Sequence, residues 1–525
     1  MTQLKCDILI IGAGAAGGVL AATLAEKTSK SIVLLEKGAY YTKEFFNQRQ
    51  LDMTVLFAEN GARSTHDGAI PVRGGQCVGG GTTVNVALCF DPIRAVWDGW
   101  KTDMGLQGLS FDAAANDYGI TGLNISSCLK HVRDRINVHT PGENEVNDNN
   151  RLFAQGCRNL NISVKHFELN MRGCIGCGFC IEGCAYDHKQ GTMITYINDA
   201  LAQGVKLIHH CDTESLEIEK RGGRYIVAGA FARVRPTSEG SQPNSVEPGS
   251  LRIMAKVVIV SSGSIESPML LARSGHPDPN DILGRGLILH PSLPIIGLMD
   301  SPMVNYRGIS GTYYSDHFYT SHGFYHECLF GHPNYVASVL PGIGLDHFAL
   351  MDAYPKMRGF GVMLVDTVRR ENRVEWDFRT KQNAIHYLIS EEDKKRLRFA
   401  TRKGVEIMFA GGAREVLLPS EQPIGPLPTP HFHDPAEAFY CEELQFLPHE
   451  TTITSSHCQA TVKMSEDPRH GMINSRCESH AVSNLLVCDS SSFPSSCGSN
   501  PMISIMTLAR YQASRIAMEL PRYGL

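Results

Sequence analysis

The sequence predicts an α/β protein in which a Rossmann-like nucleotide-binding domain is combined with an α+β region that contains an antiparallel sheet. Three observations carry that reading. Residues 6–38 run as strand, glycine turn, helix, strand and terminal acid. The chain has 525 residues, more than one ordinary domain holds, so two packed regions are expected. Between about residues 294 and 445 the dense glycine punctuation fades, and short alternating runs rich in aromatic residues replace it.

The first element, residues 8–11, is a short apolar run of the kind that forms a buried parallel strand. It breaks at Gly12-Ala13-Gly14-Ala15-Ala16-Gly17. Gly12 permits the tight turn, Gly14 lets the backbone approach a pyrophosphate, and Gly17 lets the following helix pack on the strand. The free N–H groups where that helix starts, at Ala15 and Ala16, would hold the phosphates. Residues 31–35 form the second strand, and Glu36 at its end is placed to accept hydrogen bonds from a ribose. A glycine turn that binds nothing shares the short pattern. The strand before it, the helix after it and the acid at this distance favour a dinucleotide site.

Composition narrows the classes. A formal charge of −5 without a long basic run gives nucleic acid or an anionic membrane little to hold. Residues 8–25 carry no charge, but Gly12, Gly14, Gly17 and Gly18 interrupt them, so a soluble core is expected and not a transmembrane segment. Residues 1–5 lack the layout of a signal peptide, and a cytoplasmic location is the expectation. Most of the 16 cysteines are scattered singly, as small buried hydrophobes of a reducing compartment are.

A polar, irregular stretch leads to Ile70 and then to a loop from Arg73 to Asn85. Five glycines between Gly74 and Gly81 oppose helix and strand alike, which suits a backbone lying flat against a ligand. The loop resembles the GG-x-[ST]-x-x-N segment of the glucose-methanol-choline (GMC) family of FAD oxidoreductases, which touches the flavin. The resemblance assigns Gly79, Gly80, Thr82 and Asn85 to the cofactor. Several members carry a histidine just before the asparagine that bonds covalently to the flavin. Val84 stands there in this chain, so non-covalent FAD is expected.

Residues 192–202 then read as helix, and 205–209, 214–219 and 225–234 as strands. Residues 235–250 read as an exposed loop rich in Pro, Ser and Gly, and 255–260 as an apolar strand. The turn after it, residues 261–275, is similar to the family's second signature, G-[ST]-x-x-[ST]-P-x-L-L-x-x-S-G, except that His276-Pro277 replaces the usual aliphatic residue and glycine. The later region collects Tyr306, Tyr313, Tyr314, Phe318, Phe324 and Tyr325. Alternation at 359–365 and 374–378 suggests an antiparallel sheet, and 391–410 a helix. In the resembled family this region forms the lid and floor of the substrate cavity. The resemblance therefore divides the chain into 1–293, the first part of a discontinuous FAD-binding domain with a cysteine-rich insert at 171–190; 294–445, the substrate domain; and 446–525, the FAD domain's C-terminal part.

That last part carries three further matches. His457 opens a segment similar to H-x-x-G-[TG]-x-x-M, with Ala460 in place of the usual glycine. Asp489 and Ser490 lie in a stretch similar to L-x-V-x-D-[AG]-S-x-x-P, and Asn500-Pro501-Met502 begins N-P-x-x-[ST]-I. Independently of the resemblance, Asn500 is a good N-cap, Pro501 suits a first helical position, and helical spacing continues from Met502. If the resemblance holds, the positive end of this helix faces the pocket that receives His457, with Pro501 and Met502 against the cofactor. Removing a hydride from a carbinol carbon is easier when the hydroxyl proton also leaves, which requires a base. His457 is the candidate base, and Asn500 would orient the hydroxyl. Hydride would pass to flavin N5, and the helix N-terminus would stabilise the charge gathered near N1 and O2. His449, His470 and His480 read as ordinary core or surface residues.

Cys174, Cys177, Cys180 and Cys184 have the C-x2-C-x2-C-x3-C spacing of a bacterial ferredoxin loop, without its proline. An iron–sulfur cluster, a structural zinc, and reduced or paired cysteines all remain open. A similar segment, ending in K-x-[GS]-T as Lys189 to Thr192 does here, occurs in the long-chain alcohol oxidase branch of the family. The expected activity is FAD-dependent oxidation of the CH–OH group of an apolar alcohol, with oxygen, a quinone or a carrier protein as acceptor. A flavin-dependent double-bond isomerase or reductase, and an electron-transfer partner without its own substrate, are the rivals.

Overall fold

The structure, a computed structural model, describes residues 1–112, 118–303 and 307–525; Tyr306 lies outside them. The run at 8–11 sits where an apolar strand must, inside a parallel sheet covered on both faces. Thr2–Ile11 pairs in parallel with Ile32–Leu35 on one side and Gly249–Val260 on the other, and Lys206–Ile208 extends the sheet. Gly249–Val260 starts before the expected residue 255, because its first half pairs antiparallel with Arg224–Val234. Its end pairs in parallel with Leu485–Val487. One sheet therefore gathers strands from both ends and the middle of the chain, so the nucleotide domain is built from discontinuous segments.

Ala15–Lys27 and Met502–Met518 lie side by side over this sheet, tied by Arg510, which donates to Thr23 Oγ1 at 3.0 Å and Glu26 Oε2 at 2.5 Å. The last helix is buried nearly all round, and its buried Arg515 is bonded, donating to Gln512 Oε1 at 2.8 Å and Glu519 Oε2 at 2.6 Å. The helix expected at 192–202 starts as a π-helical turn, Met193–Ile197, and becomes α-helical only at Asn198–Ala202. Its entry is fixed by Thr192, whose N–H donates to Thr82 Oγ1 at 3.0 Å.

The antiparallel sheet has seven strands. In order they are His431–Phe432, Glu415–Leu417, Ser292–Leu298, Met357–Leu364, Phe324–Glu327, Tyr313–Ser315 and Lys165–His166. The expected boundary at residue 294 falls inside one of these strands, and the edge strand at Lys165 comes from the preceding region. Residues 374–378 belong instead to a separate hairpin, Arg373–Asp377 with Gln382–His386. The helix Glu391–Ala410 has the expected bounds. Ser390 caps it through the Asp393 N–H, three acids occupy its first turn, and Gly404 lets it approach so closely that a Cβ there would lie 2.0 Å from Ile295 Cδ1. No helix among the described residues is long and apolar enough to cross a membrane.

Candidate active site

The carboxyl ends of the parallel strands meet at the first glycine turn, where ligands of such sheets bind. Gly12 N–H donates to Leu35 O at 2.8 Å and Ser261 N–H to Ile11 O at 2.7 Å. Gly12 has φ +103°, and a Cβ on it would lie 2.3 Å from Ser261 O. Gly17 stands against Gly12 O, where a Cβ would come within 1.7 Å. The second glycine loop touches the first backbone to backbone: Gly79 N–H donates to Ala13 O at 2.8 Å, and a Cβ on Gly80 (φ +51°) would lie 2.9 Å from Gly14 Cα. These contacts border a cavity of about 250 Å³ lined by Gly12, Gly14, Ala15, Ala16, Glu36, Gly80, Asp489, Ser490 and Pro501. Gly17 and Gly79 shape the wall from behind.

Two acids brace this cradle. Glu36 accepts from the N–H groups of Ala13 (2.9 Å) and Gly38 (2.8 Å), and burial pushes its carboxyl up. Asp489 Oδ2 accepts from Gly263 N–H at 2.9 Å and Ser267 Oγ at 2.6 Å, which caps the helix Gly263–Arg273. Ser490 Oγ lies 2.8 Å from Ser264 Oγ.

A second cavity, of about 380 Å³, shares Ala15, Arg73, Gly74, Gly75 and Pro501 with the first, so the two form one cleft. His457, Asn500, Thr82, Asn85 and Met502 line it. His457 is half-buried, its Nδ1 has no hydrogen-bond partner among the described residues, and desolvation pushes its pKa down to about 4. The imidazole is therefore neutral at physiological pH. Asn500 does not cap the last helix as expected. Pro501 occupies the cap position, no side chain caps it, and the buried Asn500 Oδ1 has no partner among the described residues. The rigid Asn-Pro step sends the amide into the cavity. Asn85 holds its own loop through Ala87 N–H at 3.2 Å and stands 3.0 Å from Met502 Sδ, whereas Thr82 Oγ1 staples Gly79 O at 2.7 Å.

Two functional candidates were missed in the sequence. Glu327 ends the strand Phe324–Glu327, and alternation turns Tyr325 and Glu327 to the cavity side while His326 bonds Ala400 O at 2.9 Å behind the sheet. Burial lifts Glu327 to about 7, opposed by a hydrogen bond from Asn500 that favours the charged form. A lone acid inside Phe324-Tyr325-His326-Glu327-Cys328-Leu329-Phe330 was the available cue. His290 lies beside His457, ring centroids 5.5 Å apart and nearly perpendicular. Ser496 Oγ (2.6 Å) and Gln459 Nε2 (3.2 Å) hold its Nε2, and its backbone N–H donates to Asp366 at 2.9 Å. Orphaned polar atoms of His457, His290, Glu327 and Asn500 thus concentrate around one cavity, and such concentrations mark a place where a ligand completes the bonding.

Sequence profiles described as GMC oxidoreductase, N- and C-terminal, match residues 53–292 and 368–509. The chain belongs to the GMC oxidoreductase family. It is 26% identical to long-chain-alcohol oxidase FAO3 of Arabidopsis thaliana over 99% of this chain and 68% of that protein. It is 28% identical to a GMC-type oxidoreductase of Mycobacterium tuberculosis over 96% of this chain and 75% of that protein. The fold is that of pyridoxine 4-oxidase from Mesorbium loti, with TM-score 0.67, 18% identity and 97% and 99% of the two chains covered. Formate oxidase superposes with TM-score 0.69 at 13% identity, each chain fully covered.

In this GMC oxidoreductase the four clustered cysteines are free thiols that border one small cavity of their own. No three of their sulfurs lie within 4.8 Å of one another. Four thiolates on one zinc at about 2.3 Å each stand roughly 3.8 Å apart, so the arrangement does not fit a tetrahedral zinc. Lys189 joins the loop to the glycine turn at residues 79–85: its buried ammonium donates to Thr83 O (2.6 Å), Asn85 O (2.7 Å) and Cys180 O (2.6 Å). Ile181, from the same loop, forms part of the wall of the second cavity.

Proposed function

We propose that the protein oxidises the CH–OH group of an apolar, long-chain primary alcohol with FAD held non-covalently in the nucleotide cradle. The single observation that carries this reading is the shared cavity in which a neutral His457, Asn500 and a helix N-terminus meet apolar walls from Phe57, Ile295, Phe330 and Phe360. FAD supplies the hydride acceptor, N5, when bound. His457 takes the hydroxyl proton at a ring nitrogen that desolvation keeps unprotonated. The Asn500 amide orients the hydroxyl oxygen, and Glu327 holds that amide. The apolar walls exclude water and accept the alkyl chain. The names of the Arabidopsis relatives support a long-chain substrate. Val84 offers no atom that could bond to a flavin, so acid denaturation is expected to release all the yellow cofactor into solution. The free thiols suit the reducing cytoplasm proposed as its location.

Steady-state turnover tests the reading. Purified protein should convert a long-chain primary alcohol to its aldehyde with dye or oxygen reduced in equal amount; failure with every chain length would refute it. A second reading rests on Glu327. A buried carboxyl near pKa 7 facing the cavity could move a proton between carbons of an unsaturated substrate, giving isomerisation without net electron flow. Product formation in the absence of any acceptor distinguishes it. For the cysteine loop we propose an iron–sulfur centre that passes single electrons outward; iron and acid-labile sulfide in anaerobically prepared protein test it, and their absence would remove it.

A further inference from the structure

We propose that Glu415, His431 and His433 form a binding site for one divalent transition-metal ion on the outer edge of the antiparallel sheet. Strand pairing brings them together. Leu417 pairs with His431 and Val416 with Phe432, and one more step sets Glu415 across from His433. His431 and His433, two residues apart, project on one face while Phe432 is fully buried on the other. One ligand atom from each of the three lies within 4.8 Å of the others. His431 Nε2 stands 2.7 Å from Glu415 Oε2, and the two imidazole centroids are 4.4 Å apart. Arg414 pairs with the other oxygen, Oε1, and leaves Oε2 to the histidines.

A histidine–carboxylate pair by itself needs only His431. The second imidazole, converging on the same carboxylate, is what a two-histidine, one-glutamate ligand set with an open position requires. Borderline ions such as zinc, copper and nickel favour imidazole. The backbone that carries His433 is held in place: Glu437 Oε2 accepts from the backbone N–H groups of His433 at 2.6 Å and Asp434 at 3.1 Å. None of the three residues borders the substrate cleft, so the ion would pin a two-residue edge strand to its neighbour and take no part in the oxidation.

Zinc is the probe. Crystals of the flavoprotein, stripped with chelator and soaked in zinc, should show an anomalous peak at the zinc edge between Glu415, His431 and His433. In solution, zinc should raise the thermal midpoint of the wild type. His433→Ala should fold with the same flavin content and alcohol turnover while losing about tenfold or more in zinc affinity and most of the midpoint shift. An anomalous peak confined to the four clustered cysteines, or an equal midpoint shift in His433→Ala, would overturn the proposal.

Discussion

Burial raises the Glu327 carboxyl from 4.5 to about 7, so folding disfavours its charge. Its contribution to stability is therefore fully present below about pH 4.5 and is lost as pH rises towards 7, a difference of about 3 kcal/mol. Glu327→Gln should remove that loss, and denaturant titrations of both proteins between those pH values would reveal it. Ala460, where the family usually has glycine, sits fully buried at φ +67°. A Cβ in the left-handed region costs roughly 1 kcal/mol, so Ala460→Gly should stabilise the fold by about that much in the same titration. The matches on either side made His457 and Asn500 legible in the sequence, but Glu327 and His290 were not. Nothing local marks which acid or histidine will face a pocket that the chain completes more than a hundred residues later.

At the scale of elements, the turn Gly79 to Asn85 is held by atoms from three directions. Lys189 saturates the carbonyls of Thr83 and Asn85 and ties them to the cysteine loop. Lys189→Met would strand these buried acceptors at a cost of about 1–3 kcal/mol. It should lower both the thermal midpoint and the flavin retained through gel filtration, and unchanged flavin content would count against the bridge. Gly80→Ala should abolish flavin retention, since its Cβ would strike Gly14 in the neighbouring loop. The first strand, its glycine turn and the helix Glu391–Ala410 were readable because period, punctuation and caps agree there. The π-helical turn at Met193–Ile197 and the early start of Gly249–Val260 were not, because contacts with Thr82 and with Arg224–Val234 set them. The cap expected at Asn500 failed for a related reason: the residue that best suits capping was drawn into the cavity.

Across the whole molecule, one sheet collects strands from residues 2–11, 249–260 and 485–487, and the helix Met502–Met518 lies on the helix Ala15–Lys27. The first and last segments therefore fold as one unit around the cofactor, and flavin binding should stabilise the chain as a whole. Adding FAD to stripped protein at a hundred times its dissociation constant should contribute about 2.7 kcal/mol. The fold class was legible because both termini carry strong nucleotide-domain patterns. The way the antiparallel sheet borrows Lys165–His166 was not, since a two-residue strand has no period of its own. The most direct test is anaerobic stopped-flow mixing of a long-chain primary alcohol with the flavin-loaded protein, followed at the blue flavin band. The wild type should bleach in a single substrate-dependent phase, and His457→Ala, with flavin still bound, should bleach roughly 10²–10⁴-fold more slowly. Equal rates in the two proteins would contradict the assignment of His457 as the base.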